Sequence, residues 1–259
     1  MDRLTIVKIG GSLLENPALL GSFLDDFHVL EGPKLLVHGG GPQANRIGRQ
    51  LGIEPQMFQG RRITDAATLD LVVMVYAGLN GKRVTAELQA RGCNALSLSG
   101  VDGNLLAATK RPVGEVDFGF VGDVIPEGVN VSLIRSLLDS GYVPVLNAIT
   151  HDTAGLLLNT NADTIAGTVA GRLASEGPVD LVLVLDRPGV LGNPDDDGSV
   201  IPVLKEEQIE DMKQQGTIAG GMMPKIANAL AALRRGVRTV RIGDYTALRD
   251  SGSGTRIEI

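Results

Sequence analysis

Two rhythms of apolar and polar positions alternate along the chain. Short, largely apolar or β-branched runs recur, and several of them run straight into glycine. Longer stretches with apolar residues at helical spacing separate them. The short runs at 5–9, 34–38, 95–99, 142–146, 181–185 and 239–242 predict buried strands. The stretches at 17–30, 43–51, 67–79, 82–91, 131–138, 164–173, 205–214 and 226–235 predict helices. Strands alternating with helices through short connections imply right-handed crossovers, hence a parallel sheet covered on both faces and an α/β fold.

Three places depart from the rhythm. Residues 107–123 read as a hairpin or small sheet, and 251–255, Ser-Gly-Ser-Gly-Thr, as a flexible segment before the end. Gly177-Pro178 punctuates the chain and predicts an N-terminal lobe, 1–176, and a C-terminal lobe, 177–259. The helix at 67–79 is apolar on nearly every side, which places it in a core or a subunit interface. Its position next to Gly60-Arg61-Arg62 favours the interface.

Composition narrows the class. With 43% apolar residues in 259, the chain can bury a large core, roughly 70–75% of its unfolded surface. The net charge of −6 argues against nucleic acid or an anionic membrane as partner, so any bound anion needs locally concentrated positive charge. Aromatic residues make up only 3%, too few to offer a stacking platform for single strands. A lone cysteine, Cys93, excludes an internal disulfide, and three histidines argue against a metal site. No signal peptide or membrane-spanning run is present, and the chain reads as soluble and cytoplasmic.

The candidate chemistry gathers where strands end. Lys8 stands near the end of the first strand, one residue ahead of the pair Gly10 and Gly11. A strand that breaks into glycines ahead of a helix leaves N–H groups free to face an anion, and the lysine adds a full charge. His38-Gly39-Gly40-Gly41-Pro42 repeats the device, either as an anion site or as a tight strand-to-helix turn. Arg61 and Arg62 suit bidentate recognition of a carboxylate, or are solvated charges. In a parallel α/β sheet ligands sit beyond the carboxyl ends of the strands. Residues 8–11, 39–41 and 97–100, with Asn147 and Asp186, all fall at such ends. The acidic turn at 193–199 reads as a solvated loop, not a metal cage. Familiar nucleotide motifs are missing: Gly78-Leu-Asn-Gly81-Lys82-Arg83 fails the P-loop in spacing and final residue, and no Gly-x-Gly-x-x-Gly follows a strand.

Five motifs carry a resemblance. Lys8-Ile-Gly-Gly-Ser, His38-Gly-Gly-Gly-Pro, Gly60-Arg-Arg-Ile-Thr-Asp, Leu158-Asn-Thr-Asn-Ala-Asp163 and Gly221-Met-Met-Pro-Lys225 follow in the order and spacing of the amino acid kinase family. The chain resembles that family over essentially its whole length, and within it the members that act on N-acetyl-L-glutamate. The resemblance implies a three-layer αβα sandwich with a mainly parallel sheet. It implies a substrate lobe followed by a lobe binding ATP with Mg²⁺, and transfer of a phosphoryl group to the substrate's γ-carboxylate. Carried over residue by residue, Lys8 and Lys225 would neutralise the transferring group and Asp163 would hold both lysines. Gly10, Gly11, Gly40 and Gly41 would present N–H groups to phosphate and substrate. Arg62 would clamp the α-carboxylate, Asn159 would bind the acylamino group, and Asp186 would lie near the nucleotide. No residue is assigned to a metal.

The early position of Lys8 adds the expectation of an arginine-insensitive homodimer instead of a ring-shaped hexamer. The arginine pair leaves other acceptors open, N-succinylglutamate or a carrier-linked aminoadipate. A non-catalytic effector-binding module of the same fold is the reading from a different class.

Overall fold

The computed structural model describes residues 3–218, 221–250 and 252–259. In chain order the first elements are β1 (Leu4–Ile9), α1 (Gly11–Glu15), α2 (Pro17–His28), β2 (Lys34–His38) and α3 (Gly41–Gln50). A hairpin of β3 (Met57–Phe58) and β4 (Arg61–Arg62) precedes α4 (Ala66–Val73), a π-helical turn over Met74–Asn80 and α5 (Gly81–Ala90). Then come β5 (Ala95–Leu98), β6 (Leu106–Lys110), β7 (Val121–Val129), α6 (Val131–Asp139), β8 (Val143–Leu146), β9 (Ile149–His151), β10 (Leu157–Thr160) and α7 (Ala162–Leu173). The last elements are β11 (Val179–Val184), β12 (Val203–Lys205), α8 (Glu206–Gln214), α9 (Met222–Arg234), β13 (Thr239–Gly243) and β14 (Thr255–Glu258).

Among the described residues, eight strands form the central sheet in the order β12-β14-β13-β11-β1-β2-β8-β5. β1 lies at the centre, parallel to β11 from Leu4 opposite Val179 to Ile9 opposite Val184, and parallel to β2 on its other side. Alternation along these strands splits the apolar side chains between two cores. Leu4, Ile6, Leu35, Val37, Leu181 and Leu183 pack on the face covered by α7 and α9. Val7, Ile9, Leu36, Val145 and Val182 pack with Phe23 and Phe27 of α2 and Val84 and Leu88 of α5 on the other. The expected α/β sandwich with its mainly parallel sheet is thus present.

Local chemistry explains the helix starts. Asn16 accepts hydrogen bonds from Ala18 N and Leu19 N at 3.1 and 3.2 Å, opening α2 at Pro17. Asp65, Asn130 and Asn161 cap α4, α6 and α7 in the same way. α3 begins at Gly41, two residues before the sequence pattern places it, so Pro42 is its second residue.

Two expectations change and a third holds. The segment predicted to be flexible ends in a strand: β14 begins at Thr255 and runs antiparallel to β13, while Ser251 lies outside the described residues. Thr255 is fully buried and its Oγ1 accepts from Val190 N at 2.8 Å, so its polar side chain belongs to the interior. The apolar helix at 67–79 needs no interface to explain it, because Leu69, Leu71, Val72, Val75 and Tyr76 are buried within the chain itself. Met74 is its one exposed large apolar side chain among those described. The region at 107–123 is a hairpin of β6 and β7, and with β9 and β10 it closes a small barrel beside the sheet.

Candidate active site

β1 carries Lys8 on the face covered by α7. Lys8 is 94% buried, and its ammonium lies 2.7 Å from Oδ1 of Asp163 in the first turn of α7. The other oxygen, Oδ2, accepts from Lys225 Nζ, also at 2.7 Å. Lys225 is in the first turn of α9, so the two helices must run side by side with their N-termini at one end. The small residues of α7 make this possible: a Cβ at Gly167 would sit 3.4 Å from Asn228 O, and one at Gly171 would press on Arg235. One carboxylate therefore holds two ammonium groups where helix N-termini converge, an arrangement suited to a phosphoryl anion.

The electrostatics follow from burial. Burial pushes the Asp163 carboxyl up, but Lys8 and Lys225 outweigh it and hold the group below its ordinary value. Burial pushes the Lys8 ammonium down; Asp163 opposes the shift and Lys225 adds to it, leaving Lys8 below the ordinary lysine value. The trio carries one net positive charge in a largely buried place, where such a charge acts more strongly on an anion than in open solvent.

The two glycine turns touch. A Cβ at Gly11 would stand 2.5 Å from Pro42 Cδ, so only glycine lets the β1–α1 turn pack on the β2–α3 turn. Gly40 caps α3 with φ of 151°, and a Cβ there would collide with Asn80 Nδ2. Arg62 bends over this turn: its Nη2 donates to Gly41 O at 3.1 Å and to Asn45 Oδ1. Burial pushes the Tyr76 phenol up, and the positive charge of Arg62 counters that shift. The β3–β4 hairpin that supplies Arg62 turns through Gln59 and Gly60, both with positive φ, as a two-residue hairpin turn requires.

These elements enclose a cavity of about 750 Å³. Lys8, Gly11, Gly40, Gly41, Arg62, Asn159, Asp163 and Lys225 all line it, so residues from 8 to 225 in sequence meet at one place. Asn159 is anchored by its Nδ2, which donates to Thr64 Oγ1 at 3.0 Å. Other expected residues fall outside. Gly10 caps α1 beside the cavity without lining it, and Asp186 is exposed on the loop after β11. Asn147 donates to Leu98 O and Ser99 Oγ, both at 3.0 Å, so this part of the strand-end rim joins β8 to the β5 end and does not face the cavity.

The cavity also holds residues that sequence reasoning passed over: Tyr76, Arg111 and Asn228. Tyr76 had a visible signal, a ring with a polar tip inside an otherwise aliphatic helix. Arg111 had none, because its anchor is the bidentate pair with Asp123 on the neighbouring strand. Asn228 lies one turn beyond Lys225 on α9, and only the placement of that helix brings it here.

A sheet with these cores and a lysine–carboxylate–lysine bridge at the strand ends defines a phosphotransferase of one family. The pattern of the amino acid kinase family matches residues 3–244, and the chain belongs to that family. It is 50% identical over 257 residues to the acetylglutamate kinase of Phocaeicola vulgatus, covering 99% of each chain. It is 42% identical over 254 residues to the acetylglutamate kinase of Methanopyrus kandleri, covering 96% of this chain and 98% of that one. Among solved structures, smu.665 from Streptococcus mutans superposes with a TM-score of 0.80 at 27% identity, covering 98% of both chains.

Proposed function

We propose that the chain catalyses ATP-dependent phosphorylation of the γ-carboxylate of N-acetyl-L-glutamate, giving N-acetyl-L-glutamyl 5-phosphate and ADP in the cytoplasmic biosynthesis of arginine. The observation that carries this reading is the Lys8–Asp163–Lys225 bridge facing a cavity also lined by Arg62 and Asn159. The shared name of full-length relatives at up to 50% identity supports the acceptor.

Transfer to a carboxylate needs no protein nucleophile and no base, because the acceptor is already ionised. One γ-carboxylate oxygen forms a bond to the γ-phosphorus while the bond to the β–γ bridging oxygen breaks, and ADP leaves with the electron pair. The protein's task is positioning and charge stabilisation. In this reading Lys8 and Lys225 neutralise the transferring group, each contributing roughly 3–4 kcal/mol, about 10²–10³ in rate. Asp163 sets the distance between them. Gly11, Gly40 and Gly41 offer N–H groups, Arg62 takes the α-carboxylate, and Asn159 takes the acylamino group.

Mg²⁺ bound with the nucleotide would supply charge neutralisation on its phosphates, and those phosphates would hold it, because both oxygens of Asp163 are engaged by lysines and the described residues hold no cluster of three ligating side chains. The substrate lobe is 1–176 and the nucleotide lobe 177–259, with Gly10 and Asp186 on the nucleotide side. The working unit is a homodimer, and sedimentation velocity should give a two-chain species; a hexamer would reject that assignment.

A second acceptor has one observation in its favour. Arg61 and Arg111 line the cavity together with Arg62, which suits a further carboxylate, as in N-succinylglutamate or a carrier-linked aminoadipate. A panel of these acceptors, assayed by trapping the acyl phosphate with hydroxylamine, decides between them. ATP-dependent hydroxamate strongest with N-acetyl-L-glutamate supports the leading reading. None with any N-acylated dicarboxylate rejects the reaction.

A further inference from the structure

An anion site made of backbone must turn its carbonyl oxygens away from the anion, and the glycine turn after β2 does so. Gly39 O accepts from His38 Nδ1–H at 2.9 Å and from Asn80 Nδ2–H at 3.5 Å. Gly40 O accepts from Ala44 N at 2.9 Å, and Gly41 O from Arg62 Nη2 at 3.1 Å. The first of these carbonyls is held from the interior. His38 is fully buried and Asn80 is 3% exposed, and neither lines the cavity, whereas Gly39, Gly40 and Gly41 do. In a trans peptide the carbonyl and the N–H that follows it point in opposite directions. With Gly39 O drawn inward, the Gly40 N–H is turned to the cavity side.

Asn80 reaches this carbonyl from the helix spanning 66–90, which is π-helical over Met74–Asn80 between two α-helical halves. Such a turn has poorer hydrogen-bond geometry than the α-helix and is found most often at functional sites. The amide of Asn80 closes on the next glycine as well. A Cβ at Gly40 would collide with Asn80 Nδ2 and lie 3.0 and 3.2 Å from Tyr76 Cδ1 and Cε1. The peptide between Gly39 and Gly40 is therefore packed from behind by the same side chain that holds its oxygen.

We propose that Asn80 is a positioning residue for the acceptor: together with His38 it holds the Gly39 carbonyl inward, so that the Gly40 N–H and no carbonyl oxygen meets the incoming carboxylate. The inference rests on Gly40 facing the acceptor in the proposed reaction. Neither Asn80 nor His38 touches the substrate. Without the Asn80 donor the peptide is freer to rotate, and an oxygen that repels the carboxylate can replace the N–H that attracts it. Acceptor affinity then falls roughly tenfold, as when a hydrogen bond to a charged group is partly lost.

The test is steady-state kinetics of the full chain, varying N-acetyl-L-glutamate and ATP separately. Asn80→Leu keeps the bulk and loses the donor; it should raise the acceptor KM roughly tenfold while the ATP KM stays near wild type. His38→Leu should show the same split. His38→Asn, whose amide nitrogen can take the place of Nδ1, should recover most of that loss, although asparagine fills the space no better than leucine. An unchanged acceptor KM in Asn80→Leu overturns the inference alone. So does an equal rise in both KM values, or a His38→Asn chain no better than His38→Leu. If Asn80→Leu does not fold, the two histidine variants decide by the same comparison. A wild-type chain inactive with every N-acylated glutamate overturns the functional reading and this inference with it.

Discussion

At the scale of single residues the site turns on Asp163, because both lysines take their position from its two oxygens. Lys8 is pushed down by burial and by Lys225 and is sustained chiefly by Asp163. Phosphoryl transfer needs Lys8 charged, so wild-type kcat should fall on the alkaline side at a pH below the ordinary lysine value of 10.5. Asp163→Asn removes the opposing charge, and a pH–rate profile should show that limb at still lower pH, together with a lower plateau. His38 gives a prediction of the opposite sign for stability. It is fully buried, its Nδ1–H donates to Gly39 O at 2.9 Å, and burial lowers its pKa to about 4. The folded state therefore favours the neutral ring, and stability present above pH 6.5 is lost as pH falls toward 4. The full effect is about 3 kcal/mol, and urea unfolding of His38→Gln should lack that part of the acid dependence.

Much of the residue-scale chemistry was legible in the sequence. Lys8, Gly40 and Gly41 stand where a buried run breaks into glycines, and a short-range rule finds them. Arg62 stood out as half of an arginine pair. Asp163 and Lys225 were not legible in this way, since their partnership depends on two helices packing side by side across 62 residues of chain. They were reached through motif resemblance. Tyr76 was counted as one more apolar position, although its polar tip in an aliphatic helix was a legible signal.

At the scale of elements, the closeness of α7 and α9 decides whether Lys225 reaches Asp163. Gly167→Val places branched atoms where a Cβ already stands 3.4 Å from Asn228 O, and the helices must move apart. Overpacking of this kind costs about 1–3 kcal/mol. Thermal unfolding should show that loss, and kcat should fall more than the acceptor KM rises, because the lysine bridge stretches while Arg62 is untouched. Gly167→Ala should be close to wild type in both. The strands of the central sheet were legible because their apolar runs are continuous and punctuated. β12 and β14 were not, being three and four residues long and lying toward one edge of the sheet. The π turn carries no local sequence signature beyond Gly78 and is understood only from what Tyr76 and Asn80 touch.

At the scale of the whole molecule, the sheet makes a single site out of distant segments. β1 is central, β11 pairs with it along its whole length, and the turns after β1 and β2 meet through Gly11 and Pro42. Alternating strands and helices were enough to anticipate this rim, on which Asn147 and Asp186 share the strand ends without lining the cavity. On the proposed reading, Lys8, Asp163 and Lys225 together form the charge clamp for phosphoryl transfer. The most direct measurement compares ATP-dependent hydroxamate formation by wild type and Lys225→Ala, with thermal unfolding of both. Lys225→Ala should lose roughly 10²–10³ in kcat with the unfolding midpoint little changed. Lys225→Ala turning over at the wild-type rate would contradict it.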